Sequence, residues 1–153
     1  MREYYQNSKE KWFVNPVIGS RTDLVRRTEQ QYEKFLSDQN RPTTDQLLQQ
    51  LTQARKDQER QGVTINGIRY AGDPSNRQAL QEAIAFMEDA GLTKFPKWKD
   101  SDNQFHAGHL LSDVVDAYQA IGERRAALIA IEGEYAEKIT EGTLTDLGEV
   151  VWS

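Results

Sequence analysis

From about Gly108 to Glu141 the chain carries one long helical pattern, and no other feature limits its fold so strongly. Leu111, Val114, Tyr118, Ile121, Arg125, Leu128, Glu132, Tyr135 and Ile139 follow alternating spacings of three and four, the seam positions of a packed helix. Val115, Ile129 and Ile131 lie off that line, so two faces are expected to be buried. A break near Gly122 or Gly133 would turn the pattern into a helix pair. Arg125 and Glu132 interrupt the seam with charge. Such residues either specify register or partner at a cost in stability, or snorkel at a helix edge, and the pattern leaves both readings open.

The cover for this helix must come from upstream. Val63-Thr64-Ile65-Asn66-Gly67-Ile68-Arg69-Tyr70 alternates apolar and polar residues around Asn-Gly, the pair that supplies both positive-φ positions of a type I′ hairpin turn. Asp73 then caps a predicted helix with Pro74 as its first residue, Leu80, Ala83, Ile84 and Met87 as its apolar face, and Gly91 as its terminator. Phe95 to Lys99 and Gln104 to His106 flank Asp100-Ser101-Asp102-Asn103, which predicts a second hairpin with Trp98 and Phe105 as core aromatics and His109 near the start of the long helix. The tail, Leu144, Leu147, Val150, Val151 and Trp152, is apolar enough to dock.

The N-terminal part is thinner. Glu3-Tyr4-Tyr5-Gln6 and Lys11-Trp12-Phe13-Val14 flank a polar turn and predict a small hairpin, which is marginal in water unless its aromatics pack on something else. Pro16 should end the strand, and Gly19-Ser20 should loosen the chain beyond it. Thr28 and Gln31 have capping-box spacing ahead of a short helix carrying Tyr32, Phe35 and Leu36, ending near Gln39-Asn40. A second capping box, Thr43 with Gln46, opens a Gln-rich helix from about Asp45 to Gln61. Its stripe of Leu47, Leu48, Leu51 and Ala54 is narrow, suiting a coiled-coil-like seam or a spacer, and Gly62 marks the expected module boundary.

These segments predict an α+β fold, predominantly α-helical, with short β-hairpins at the N-terminus and around Asn66-Gly67 and a long C-terminal helix or helix pair. The expected division is 1–41, a small aromatic hairpin plus short helix; 42–62, a spacer helix; and 63–153, a C-terminal domain. A hydrophobic fraction of 37% and mean hydropathy of -0.77 require the apolar residues to be concentrated in these segments. A net charge of -5 with scattered Lys and Arg argues against nucleic acid as partner. The absence of cysteine removes disulfides, thiolate metal sites and cysteine nucleophiles, which suits a reducing compartment. No stretch approaches the roughly 20 apolar residues of a membrane helix, so a soluble protein made in the cytoplasm, with no membrane partner, is expected.

No constellation rises to a catalytic motif. His106 and His109, with Asp113 nearby, have the spacing of a metal pair, but Gly108 separates them and ordinary surface or helix-end imidazoles are the preferred reading. Asp100, Asp102 and Asn103 lack the Gly and distal Glu of a calcium loop, and turn chemistry accounts for them. Glu132, Glu134, Glu137 and Glu141 read as a solvated face with one seam position, and Gly62 and Gly67 lack the spacing of a phosphate loop. Lys9, Lys11 and Trp12 with Arg26 and Arg27 could form a basic-aromatic patch, but a hairpin with ordinary flanking charges explains them better. The expected catalytic, cofactor-binding and metal residues are therefore none.

The block Val63 to Tyr70, followed by Asp73, Arg77, the helix to Gly91, Trp98 before a turn and then the long helix, resembles a domain of unknown function common at the C-terminal end of bacteriophage tail proteins. The resemblance runs roughly from Val63 to Val151, and Lys138-Ile139-Thr140 before Leu144-Thr145-Asp146-Leu147 fits it as well. The opening of the chain, Tyr4-Tyr5 with Trp12-Phe13 and then the helix from Thr28 to Leu36, is similar to that of small tail-fibre assembly proteins. The usual Gly- and Pro-rich connector is replaced by the helix from Asp45 to Gln61, which leaves open whether the chain acts transiently or stays in the particle. The resemblance carries no catalytic residues. It implies a protein that binds a trimeric phage tail fibre protein and assists its folding, trimerisation or attachment, in the host cytoplasm during assembly or retained in the virion tail. Tyr4, Tyr5, Trp12, Phe13, Leu47 and Leu51 are the expected partner-binding residues. The alternative is a permanent structural connector that self-associates into a homo-oligomer through the C-terminal helix; a third reading is a small metal-dependent enzyme using His106 and His109.

Overall fold

The computed structural model of the protein describes residues 1–14 and 24–153. The seam pattern forms one helix, α4 (Leu111–Thr140), unbroken at Gly122 and Gly133. Each glycine costs about 1 kcal/mol relative to Ala in a helix interior, but neither adopts a left-handed φ, and buried Ile121, Leu128 and Ile139 hold the helix on either side of them. The fold is α+β and mainly helical, with short antiparallel strand pairs, as the segments predict. Two compact units divide it, Met1–Thr43 and Thr44–Ser153.

In the second unit, α4 is covered in two stretches. Toward its N-terminus lie the hairpin β4 (Val63–Ile65) and β5 (Ile68–Tyr70), the helix α3 (Pro74–Asp89), and the hairpin β6 (Lys94–Lys99) and β7 (Phe105–Leu110). Tyr70, Leu80, Val114, Ala117 and Ile121 form the buried centre there, with Ile65, Ile84, Phe95 and Trp98 packed around it. The local signals act as read: Asn66 and Gly67 take φ of 49° and 77° in the turn, and the Asp73 side chain accepts from the Asn76 N–H ahead of Pro74. Phe105 is a correction. It is 67% exposed, at the first position of β7, where it faces away from the core.

Toward the C-terminus of α4 the cover is the Gln-rich helix, α2 (Thr44–Gln61), together with the tail. Leu47, Leu51, Ile139 and Leu144 form a second buried cluster, with Tyr135, Leu147, Val150 and Trp152 packed against it. Of the two readings of this helix, seam or spacer, the packing agrees with the seam: its narrow leucine stripe is buried against α4 and the tail. Gly62 ends α2 as expected, with φ of 72°, but it is not a module boundary. A Cβ at Gly62 would be driven into the Tyr70 carbonyl, and one at Gly72 into the Glu59 carbonyl, so these glycines let the base of the hairpin press against the end of α2.

The first unit is a three-stranded antiparallel sheet, order β2-β1-β3, with one helix: β1 (Tyr4–Gln6), β2 (Trp12–Val14), β3 (Val25–Arg27) and α1 (Glu29–Gln39). The capping box forms with both bonds, Thr28 to Gln31 and back. Pro16, Gly19 and Ser20 lie outside the described residues. Among the described residues no helix is long and apolar enough to cross a membrane.

Candidate functional site

Strand alternation sorts the four N-terminal aromatics into two pairs. Tyr4 and Trp12 face α1: the Tyr4 and Tyr32 rings lie 4.7 Å apart, and Trp12 lies 5.3 Å from both Tyr32 and Phe35. The Tyr4 hydroxyl donates to Glu29 Oε1 at 2.9 Å, and that bond raises its pKa above the ordinary value. Tyr5 and Phe13 are cross-strand partners and both half-buried, with Arg26 opposite Tyr5 on its other side and the Lys11 ammonium 5.8 Å from the Phe13 ring. Tyr4, expected to bind a partner, is thus buried inside its own unit, and Trp12 is largely used there too.

Leu47 and Leu51 need the same correction, since they are 6% and 1% exposed in the cluster with Ile139 and Leu144. Their apolar surface is already covered by α4 and the tail. The charged interruptions of the seam find their partners within the chain. Arg55 of α2 donates to Glu59 on its own helix and to Glu132 on α4, Thr52 donates to Glu132 Oε1 at 2.6 Å, and Arg125 Nε lies 3.4 Å from Glu59. Arg77 at the start of α3 reaches Glu59 at 3.5 Å and donates to the Gly72 carbonyl at 2.6 Å. The pairing Leu51 with Ile139, Arg55 with Glu132 and Glu59 with Arg125 makes α2 and α4 antiparallel. One charge layer therefore separates two apolar clusters and fixes the register between the helices.

His106 lies in a strand as expected, and His109 is the one that departs from expectation. Both are on β7, and His109 is a buried strand residue rather than a helix-end one. Gly108 sits at φ of 65°, which interrupts alternation and brings residues three apart to the same side. His106 and His109 have ring centroids 6.2 Å apart, and His109 stacks on Trp98 at 5.3 Å. The Tyr70 hydroxyl lies 2.6 Å from His109 Nε2, and His106 Nε2 donates to Asp100 Oδ2 at 2.8 Å. Burial pushes the Tyr70 pKa up to about 12 and lowers that of His109. Asp100 also accepts from the backbone N–H groups of Asp102 and Gln104, and its bond from His106 holds its carboxyl below the ordinary range. Asp102 accepts from Arg69 at 2.8 Å. Each group thus has an internal partner, and among the described residues no set of three His, Cys, Asp or Glu side chains is arranged to hold a metal.

The arrangement defines an α+β protein with a well-packed helical unit and a small three-stranded sheet with one helix. The chain belongs to the family described as a domain of unknown function, DUF4376, whose model matches residues 42–150. The matched segment takes in α2 as well as the hairpins and α4, in keeping with the place of α2 in the core. No curated protein and no solved structure matches the chain significantly.

Proposed function

We propose that the protein is a binding partner of a bacteriophage tail fibre, assisting the folding, trimerisation or attachment of the fibre, and that its action is binding rather than catalysis. The resemblances of Tyr4-Tyr5 with Trp12-Phe13, and of Val63 to Val151, support the fibre as partner. The observation that carries a binding role is the small sheet of the first unit: among the described residues the outer strand β3 pairs only with the central strand β1, so its other side presents an edge. An extended segment of a fibre chain can add to such an edge through main-chain hydrogen bonds, with side-chain pockets supplying specificity. Fibre chains expose unpaired strands before they trimerise, which is the state such an edge would recognise.

Co-expression with the neighbouring fibre protein tests this. Soluble fibre trimer is expected to rise when the chain is present; an unchanged yield on its omission would sink the proposal. Mass spectrometry of purified particles separates a departed assembly factor from a resident subunit. Self-association through α4 is the less favoured reading, because much of its seam, Val114, Ile121, Leu128 and Ile139, is already buried within one chain.

A further inference from the structure

The charge layer between α2 and α4 opens at one side into a cavity of about 340 Å³ beside the start of α3. Its inner wall is Arg55, Arg77 and the buried Glu59, and its outer wall carries Lys56, Arg60 and Arg125, all exposed. Asp73 is the second carboxylate in the lining, and its charge is committed to the Ser75 hydroxyl and the Asn76 N–H at the helix cap. Five cations thus surround a space with two carboxylates, in a chain whose net charge is -5.

Glu59 holds three of these cations in place. Arg55 uses Nε and Nη1 for Glu132 and Glu59, Arg77 uses Nη1 for Glu59 and Gly72, and Arg125 presents Nε to Glu59. A guanidinium has five N–H donors, so the Nη2 groups of Arg55, Arg77 and Arg125 are not taken by these bonds. Guanidinium forks fixed by a buried carboxylate are already arranged to receive a planar or tetrahedral oxyanion, and little further side-chain entropy is lost when one binds. Glu59 is shared among three arginines; Arg55 is also paired with Glu132 and Arg60 with Asp57, so five cations meet four carboxylates and an anionic ligand can supply the remaining negative charge.

We propose that this cavity is a binding site for a compact multivalent oxyanion bearing phosphate or carboxylate groups. The site lies within the second unit and its ligand does not depend on the fibre reading. Calorimetric titration of the full chain with inorganic pyrophosphate and, separately, with citrate, at matched ionic strength, tests it. Saturable binding at one site per chain is expected, weakened about tenfold by Arg125→Gln, which removes a charged donor. Lys56→Gln combined with Arg60→Gln changes only exposed side chains, so it keeps the test valid if Arg125→Gln does not fold, and is expected to weaken binding about threefold. Saturation by pyrophosphate alone assigns a phosphoryl ligand and by citrate alone a carboxylate one. No saturation with either anion, or affinity unchanged in the folded variants, would overturn the proposal.

Discussion

The two units solve the same problem, burying aromatic and aliphatic side chains on a helix, with unequal means. Among the described residues of Met1–Thr43, Tyr4 alone is buried, and α1 has no buried residue at all. Thr44–Ser153 has two buried clusters joined by a charge layer, and both clusters draw only on residues of that unit. A sheet of three-residue strands against one short helix removes little apolar surface from water, so it gains little to offset the entropy of ordering. The second unit has the means to hold its fold by itself. The first gains less from burial, and the proposed binding role rests on that difference.

The largest effect is expected at Glu59. Glu59→Ala leaves Arg55, Arg77 and Arg125 without their shared carboxylate, and loss of one member of a buried ion network costs about 3–5 kcal/mol. Urea denaturation of the second unit should show that loss, and a change under about 1 kcal/mol would mean the layer behaves like exposed ion pairs. Leu51→Ala comes next at about 2–5 kcal/mol, since Leu51 is 1% exposed; a true spacer helix would tolerate it with little change in the urea midpoint.

Acid supplies the next test. With His109 neutral and its proton on Nδ1, Nε2 accepts the Tyr70 hydroxyl; a charged imidazole has no acceptor to offer. Burial places the folded-state pKa of His109 below the ordinary value of about 6.5, so in acid the folded chain binds fewer protons than the unfolded one. Its stabilising contribution is full above about pH 6.5 and is lost as pH falls toward the folded pKa. His109→Gln should flatten the stability profile in that window. The carboxyl of Asp100, lowered by His106, contributes through the same linkage only near and below about pH 4, so the two groups are separable. Trp12→Ala is the smallest expected effect on the second unit, within about 0.5 kcal/mol, while under the proposed function binding to a fibre protein is expected to weaken. Equal losses in both would show that the two units share a core.

The elements that are local in cause were readable from the chain. Asn66-Gly67, Asp73-Pro74 and Thr28 with Gln31 each fix a turn or a helix start through bonds within a few residues, and each does so in the structure. What the sequence hid is long-range. Nothing near Arg55 marks Glu132, 77 positions away, as its partner, so the polar residues of α2 looked like those of an exposed spacer. The seam interruptions Arg125 and Glu132 were visible, but the helix that answers them was not. His109 differs for another reason: Gly108 reads as a break between strand and helix, whereas β7 continues to Leu110 and the left-handed φ at Gly108 brings His109 to the buried side. Among the expected partner-binding residues, alternation turns Tyr4 and Trp12 inward and Tyr5 and Phe13 to the other face.

Unequal self-sufficiency of the two units is most directly tested by thermal unfolding of the fragment Thr44–Ser153 beside the full chain. The fragment is expected to fold and to melt cooperatively within a few degrees of the main transition of the full chain, a shift corresponding to less than about 1 kcal/mol. A fragment that fails to fold, or that melts far below the full chain, would contradict the division and make the N-terminal sheet part of the core rather than a binding surface.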